Sequence, residues 1–131
     1  MRRVVLDTNV LVSALWSKQS NPNKVAEMVF TNELTLYLNQ KILEEYFEVL
    51  YRDKFGFPEE KVSALLHEIS KRGIFADSVQ SIIHFADESD RKFHDIAKSN
   101  NAVLVTGNLK HYPNESFIMN PYDFLHTLGN E

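Results

Sequence analysis

At 131 residues, 44% of them apolar and 24% charged, the chain has the size and composition of one packed domain, 1–131, around one hydrophobic core. It has no cysteine, which excludes a disulfide framework and thiolate metal sites and fits a reducing, cytoplasmic setting. The net charge of −4 excludes the broadly basic profile of proteins that coat nucleic acid, but not a nuclease, in which bound ions supply positive charge locally.

The N-terminal stretch MRRVVLDTNVLVSALW has two arginines before an apolar run, a faint likeness to a signal peptide. Asp7 and Asn9 inside the apolar part, and no small-residue cleavage site, argue against that reading. No window approaches ~18 uninterrupted apolar residues, so no membrane span is expected. Residues 3–7 read as a buried strand, because Val4, Val5 and Leu6 are β-formers in a continuous run. A helix follows from about Thr8 to Ser17, then a loop at 19–23 with Pro22 opening a second helix. ELTLYL (33–38) alternates like a strand, and 40–52 form an apolar helix. Pro58 opens a helix that runs to Gly73. Residues 73–87 look irregular, with short strand-like pieces. SDRKFHDIAKSNN (89–101) reads as a helix with Ser89 as N-cap. AVLVT (102–106) is a buried strand and FIM (117–119) a short one, with Asn120-Pro121 capping a last helix that stops at Gly129. This alternation predicts a three-layer α/β/α domain with a central, mostly parallel sheet. In such sheets ligands sit at the carboxyl ends of the strands, which puts Asp7 and the segment Thr106–Asn108 on one edge.

The acids then need an explanation. Asp7 interrupts an apolar segment, and its bland role is a helix cap. In KILEEYFEVL, Ile42, Leu43, Tyr46, Phe47, Val49 and Leu50 form one apolar arc and Glu48 points away. Glu44 and Glu45 lie on opposite borders, and periodicity barely separates them. Asp90 precedes Phe93 by three residues and Ala97 by seven, so it shares their inward face, which a role as first-turn acid does not explain. Asp95 is placed on the other side, in solvent. Asp87 and Glu88 lie just upstream, within reach of the same pocket. Packed carboxylates repel and raise one another's pKa, so such a cluster suits a cation. All-oxygen donors suit Mg²⁺ or Mn²⁺.

VVLDTNVLVSAL, NQKILEEYFEVL, DESDRKFHDIA and VLVTGNLKHYP, in this order and spacing, resemble the four motifs of PIN-domain proteins, among them toxins of the VapC group. The likeness spans nearly the whole chain. It implies a Mg²⁺- or Mn²⁺-dependent ribonuclease with its metal-binding and catalytic acids at Asp7, Glu45 and Asp90. Thr8, Asn9, Asp87, Thr106 and Asn108 would be accessory, with Asn9 fixing loop geometry and Thr8 bonding within the turn. Glu45 would accept a proton from the attacking water. Many relatives carry Asp where this chain has Asn108, which bears on a second metal position. The resemblance also implies RNA as substrate, an antitoxin protein as partner and a homodimer. Helices at 23–32 and 58–72 have mixed surfaces, and consecutive Met28, Val29 and Phe30 in the first suggest an apolar side left open for that dimer. Two other classes compete. One is a PIN-like module that binds without cutting, for which Asn108 is the direct support. The other is a receiver-type signalling domain, which pairs acids after its first strand, where this chain has only Asp7.

Overall fold

The computed structural model describes residues 2–129. Its strands are β1 (Arg2–Leu6), β2 (Leu34–Leu38), β3 (Ile74–Phe75), β4 (Val103–Val105) and β5 (Ile118–Met119). They form one sheet in the order β3-β2-β1-β4-β5, and every pairing is parallel. β1 lies at the centre, with Val4 opposite both Leu36 and Val103. A central parallel strand is covered on both faces, which is why Val4, Val5 and Leu6 are an unbroken apolar run at 0–1% exposure.

The helices are α1 (Thr8–Trp16), α2 (Asn21–Phe30), α3 (Gln40–Leu50), α4 (Glu59–Arg72), α5 (Arg91–Ser99) and α6 (Pro121–Gly129). β1 to β2 and β2 to β3 step one way along the sheet, whereas β3 to β4 steps back the other way. Right-handed crossovers therefore put α1–α4 on one face and α5 on the other. α5 packs on β1, β4 and β2, and α6 joins α2. The result is the expected three-layer α/β/α arrangement. No helix among the described residues is long and apolar enough to cross a membrane.

Caps account for several boundaries. Asn39 Oδ1 accepts from Ile42 N–H (2.9 Å) at α3, Ser20 Oγ from Asn23 N–H (3.3 Å) at α2, and Asn120 Oδ1 from Asp123 N–H (2.7 Å) at α6. α4 ends at Gly73, where a Cβ would lie 2.1 Å from Leu38 Cδ2 and 2.8 Å from the Ile69 carbonyl oxygen. Only glycine lets the helix end pass so close to β2.

Three expectations need correction. Ser89 is not the cap before α5: a 3-10 turn, Glu88–Asp90, intervenes, and Asp87 accepts from both Ser89 N–H (2.9 Å) and Ser89 Oγ–H (2.7 Å). Asp95 is not solvated but 4% exposed, because the 77–86 segment folds over α5 and brings Ser81 N–H to its Oδ2 (2.9 Å). The Met28–Phe30 side is not open either, since Val29 is buried and Met28 and Phe30 pack against the core. The exposed large apolar groups include Trp16, Phe47 and Tyr51 on or just after α1 and α3, and Phe75, Val79 and Ile82 in the segment after α4.

Candidate active site

β1 delivers Asp7 to its carboxyl end, where it stands at the N-cap position of α1 yet makes no capping side-chain bond. Its Oδ2 instead accepts from Thr106 Oγ–H (2.9 Å), at the end of the neighbouring β4, and from Tyr112 O–H (2.8 Å). Asp7 thus reaches across the sheet edge to β4 and the loop after it. Burial raises its pKa, the two hydroxyl donors pull it back down, and the charge of Glu45 pushes it up again; the net shift is upward. Burial and the Asp7, Asp90 and Glu45 charges raise Tyr112 far above the usual phenol range, so its proton stays in the bond to Asp7.

Two of the accessory residues, Thr106 and Asn9, meet at this contact, whereas Thr8 bonds across to α3 and not within its own turn as expected. Thr106 is fully buried, donates to Asp7 and accepts from Asn108 N–H (3.0 Å). Asn9 clamps the two loops, its Oδ1 accepting from Gly107 N–H (2.8 Å) and its Nδ2 donating to Thr106 Oγ (3.5 Å). Thr8 Oγ–H donates to Glu45 Oε2, which joins α1 to α3. The next residue of α3, Tyr46, donates its O–H to the Leu6 carbonyl (2.5 Å), the peptide just before Asp7. Asn108 is exposed on the loop.

Of the two neighbouring glutamates, Glu45 is half-buried and turned toward Thr8 and Lys92, whereas Glu44 is exposed and reaches Gln40 Nε2 (3.3 Å). Glu45 Oε1 is held by Lys92 Nζ at 2.7 Å, and the same ammonium donates to the Ser89 carbonyl (2.5 Å). Asp90, 9% exposed, stands at the start of α5. Burial, then Asp7, then Asp87 raise its pKa to about 6, against a smaller opposing pull from His111, whose Nδ1 is 3.3 Å from Oδ2. Asp87 itself is exposed and held below the ordinary carboxylate range by its bonds from Ser89.

The structure therefore brings Asp7, Glu45 and Asp90 to one sheet edge, where they act on one another electrostatically. Among the described residues, no three His, Cys, Asp or Glu side chains are gathered closely enough to hold an ion as they stand. The donor set still fits one. Asp7 and Asp90 repel and resist ionising, and a cation relieves both, while Glu45 is meanwhile paired with Lys92.

Sequence reasoning missed Tyr112 and Lys92 as parts of this edge. An aromatic residue in the polar loop GNLKHYP was the available signal for Tyr112. The Arg91 guanidinium donates to the Ser81 and Ile83 carbonyls (2.7 and 2.5 Å). His94 was unremarked. It is fully buried, with Nδ1 2.8 Å from Asp95 Oδ1 and Nε2 3.4 Å from Glu115 Oε1. Burial works against Asp95's charge, but bonds from His94 and Ser81 outweigh it and hold its pKa down.

The chain is similar to an uncharacterized protein of Methanocaldococcus jannaschii, 29% identical over 108 residues that cover 80% of this chain and 70% of the relative. The family model described as the PIN domain matches residues 3–110, a span that runs from β1 through β4 and contains Asp7, Glu45 and Asp90. This chain belongs to the PIN domain family.

Proposed function

We propose that this PIN domain is a Mg²⁺- or Mn²⁺-dependent endoribonuclease and the toxin of a toxin–antitoxin pair. PIN domains are generally nucleases, and one observation carries the reading for this chain. Asp7, buried at the end of the central strand, makes no standard capping bond and gives one oxygen to Thr106 and Tyr112, on the edge that holds Asp90. A purely structural aspartate would cap the helix, and a second buried carboxylate beside it would be a cost without return.

Asp7 and Asp90 would hold the ion, with Glu45 at the border of the pocket. When bound, the ion makes a coordinated water more acidic and offsets charge on the phosphodiester. The protein's own residues do the rest. Thr106 and Tyr112 donate to one oxygen of Asp7 and fix its orientation. The Asn9 clamp holds the loop after β4 against the start of α1. Thr8 and Lys92 hold Glu45 near Asp7, and its carboxylate would accept a proton from water.

The test is cleavage of end-labelled RNA by pure protein. Cutting should need Mg²⁺ or Mn²⁺, stop with EDTA, and be lost in Asp7→Asn while the circular dichroism spectrum is kept. Full activity in Asp7→Asn would end this mechanism. The toxin role predicts growth arrest on induction, relieved by a small protein encoded next to this one. Asn108 favours a second reading, a PIN module that binds without cutting, because an amide brings no charge to the metal; the same assay decides between them.

A further inference from the structure

Beside the acids lies a cleft of about 500 Å³ that shares Asp90 with them. Pockets of roughly 300–1,000 Å³ take small ligands, so this one suits a single nucleotide rather than a longer segment. One wall is Ile83 and Phe85, the other Tyr112 and Pro113, and the rim carries His84, Lys110 and His111. Apolar walls with N–H donors at the mouth match a nucleoside carrying a phosphate.

Both walls are built in advance. Arg91 donates to the Ser81 and Ile83 carbonyls (2.7 and 2.5 Å), and its guanidinium lies over the Phe85 ring at 5.0 Å, so the first wall is pinned to α5. The second is pinned by Tyr112 O–H on Asp7 (2.8 Å) and by the 3-10 turn Leu109–His111, where His111 N–H reaches the Asn108 carbonyl (3.0 Å). Phe85 and Tyr112 meet edge to face at 6.2 Å and close the floor. A preformed site loses less on binding than one that must order its loops.

Resting on the ribonuclease reading, we propose that this cleft is the subsite for the nucleotide adjoining the phosphate that is cut. Its base lies against Pro113 and Ile83, and its outer phosphate meets Lys110 and His84. His111, 3.3 Å from Asp90, marks where the subsite meets the acids.

Two measurements test this without depending on turnover. In EDTA, titration of ¹⁵N-labelled protein with a nucleoside 5′-monophosphate should shift the amides of 83–86 and 109–113 saturably, and free nucleoside or inorganic phosphate should do so more weakly. Lys110→Ala should weaken the monophosphate about fivefold, and Lys61→Ala on α4 should leave it unchanged. With a short single-stranded RNA, Lys110→Ala should lower the salt slope of binding by ~0.7, the loss of one phosphate contact. In cleavage, Lys110→Ala and His84→Ala should raise KM severalfold and keep kcat within twofold. Shifts spread elsewhere, no saturable binding, or variants that match the wild type would overturn the subsite. A protein that binds nucleotide here but never cuts RNA overturns the nuclease reading alone. One that cuts, with KM indifferent to Lys110 and His84, overturns the subsite alone.

Discussion

Replacing Asp90 by asparagine should make the metal-free protein more stable at neutral pH. Asp90 holds its proton up to about pH 6 in the fold, against 3.8 in the open chain. Between those values the native state carries more protons than the unfolded state, so stability falls as pH rises through the window and stays low above 6. The rise from 3.8 to about 6, at 1.36 kcal/mol per pH unit, sets a ceiling of ~3 kcal/mol on what the ionised group costs. Asparagine keeps the shape and removes the charge that faces Asp7 and Asp87. With about 2.1 cal/mol/K of unfolding entropy per residue over 131 residues, each kcal/mol is ~4 °C, so Asp90→Asn should raise Tm by about 4–10 °C at pH 7.5 in EDTA. At pH 5 the gain should be smaller, because the wild type is then largely protonated. Thermal unfolding of both proteins at pH 5, 6 and 7.5 checks this. Mg²⁺ or Mn²⁺ should stabilise the wild type at pH 7.5 and leave Asp90→Asn nearly unmoved. A variant less stable than wild type at pH 7.5, or one with the wild-type pH slope from 5 to 7.5, would show that Asp90 is not under repulsion and would remove the electrostatic case for a cation here.

Glu45→Gln should cost far more RNA cleavage than Glu44→Gln, since Glu45 bonds Thr8 and acts on Asp7 while Glu44 reaches Gln40; the reverse order in a time course would displace Glu45 from the mechanism. Asn108→Asp should tighten Mn²⁺ by on the order of 1 kcal/mol in calorimetry; equal affinity would mean that position 108 does not face the ion. Gly73→Ala should destabilise by about 1–3 kcal/mol in urea titration, because the added Cβ meets Leu38 and the Ile69 carbonyl; an unchanged midpoint would show that α4 shifts freely. Sedimentation should find a homodimer with exposed Trp16 in its interface, so that Trp16→Glu yields monomer; a wild-type monomer at high concentration ends that proposal.

The frame was legible because its signals are local. A continuous VVL run between loop residues reads as a buried parallel strand wherever it occurs, and Ser20, Asn39 and Asn120 act within three residues of themselves. The inward lean of Asp90 came from helical spacing alone. What was missed depends on partners remote in sequence. Lys92 answers Glu45 from 47 positions away, and Tyr112 answers Asp7 from 105. Asp95 shows the same limit. A helical wheel orders residues by their angle about one axis, and it cannot show that a strand-poor segment, 77–86, will lie over the side it leaves open. Nor did periodicity choose between Glu44 and Glu45; the crossing of α1 with α3, through Thr8, does so.

The clamp between Asn9 and Gly107 joins points 98 residues apart, and β1 gains β4 as a neighbour only after most of the chain exists. During synthesis, the growing polypeptide presents Asp7 and Glu45 early, but Asp90, Thr106 and Tyr112 emerge late. Until then Asp7 has neither of its hydroxyl donors and β1 has one open edge, so the cleft closes as a late step of folding. Any product cut short before Tyr112 therefore lacks one of the two hydroxyls that hold Asp7.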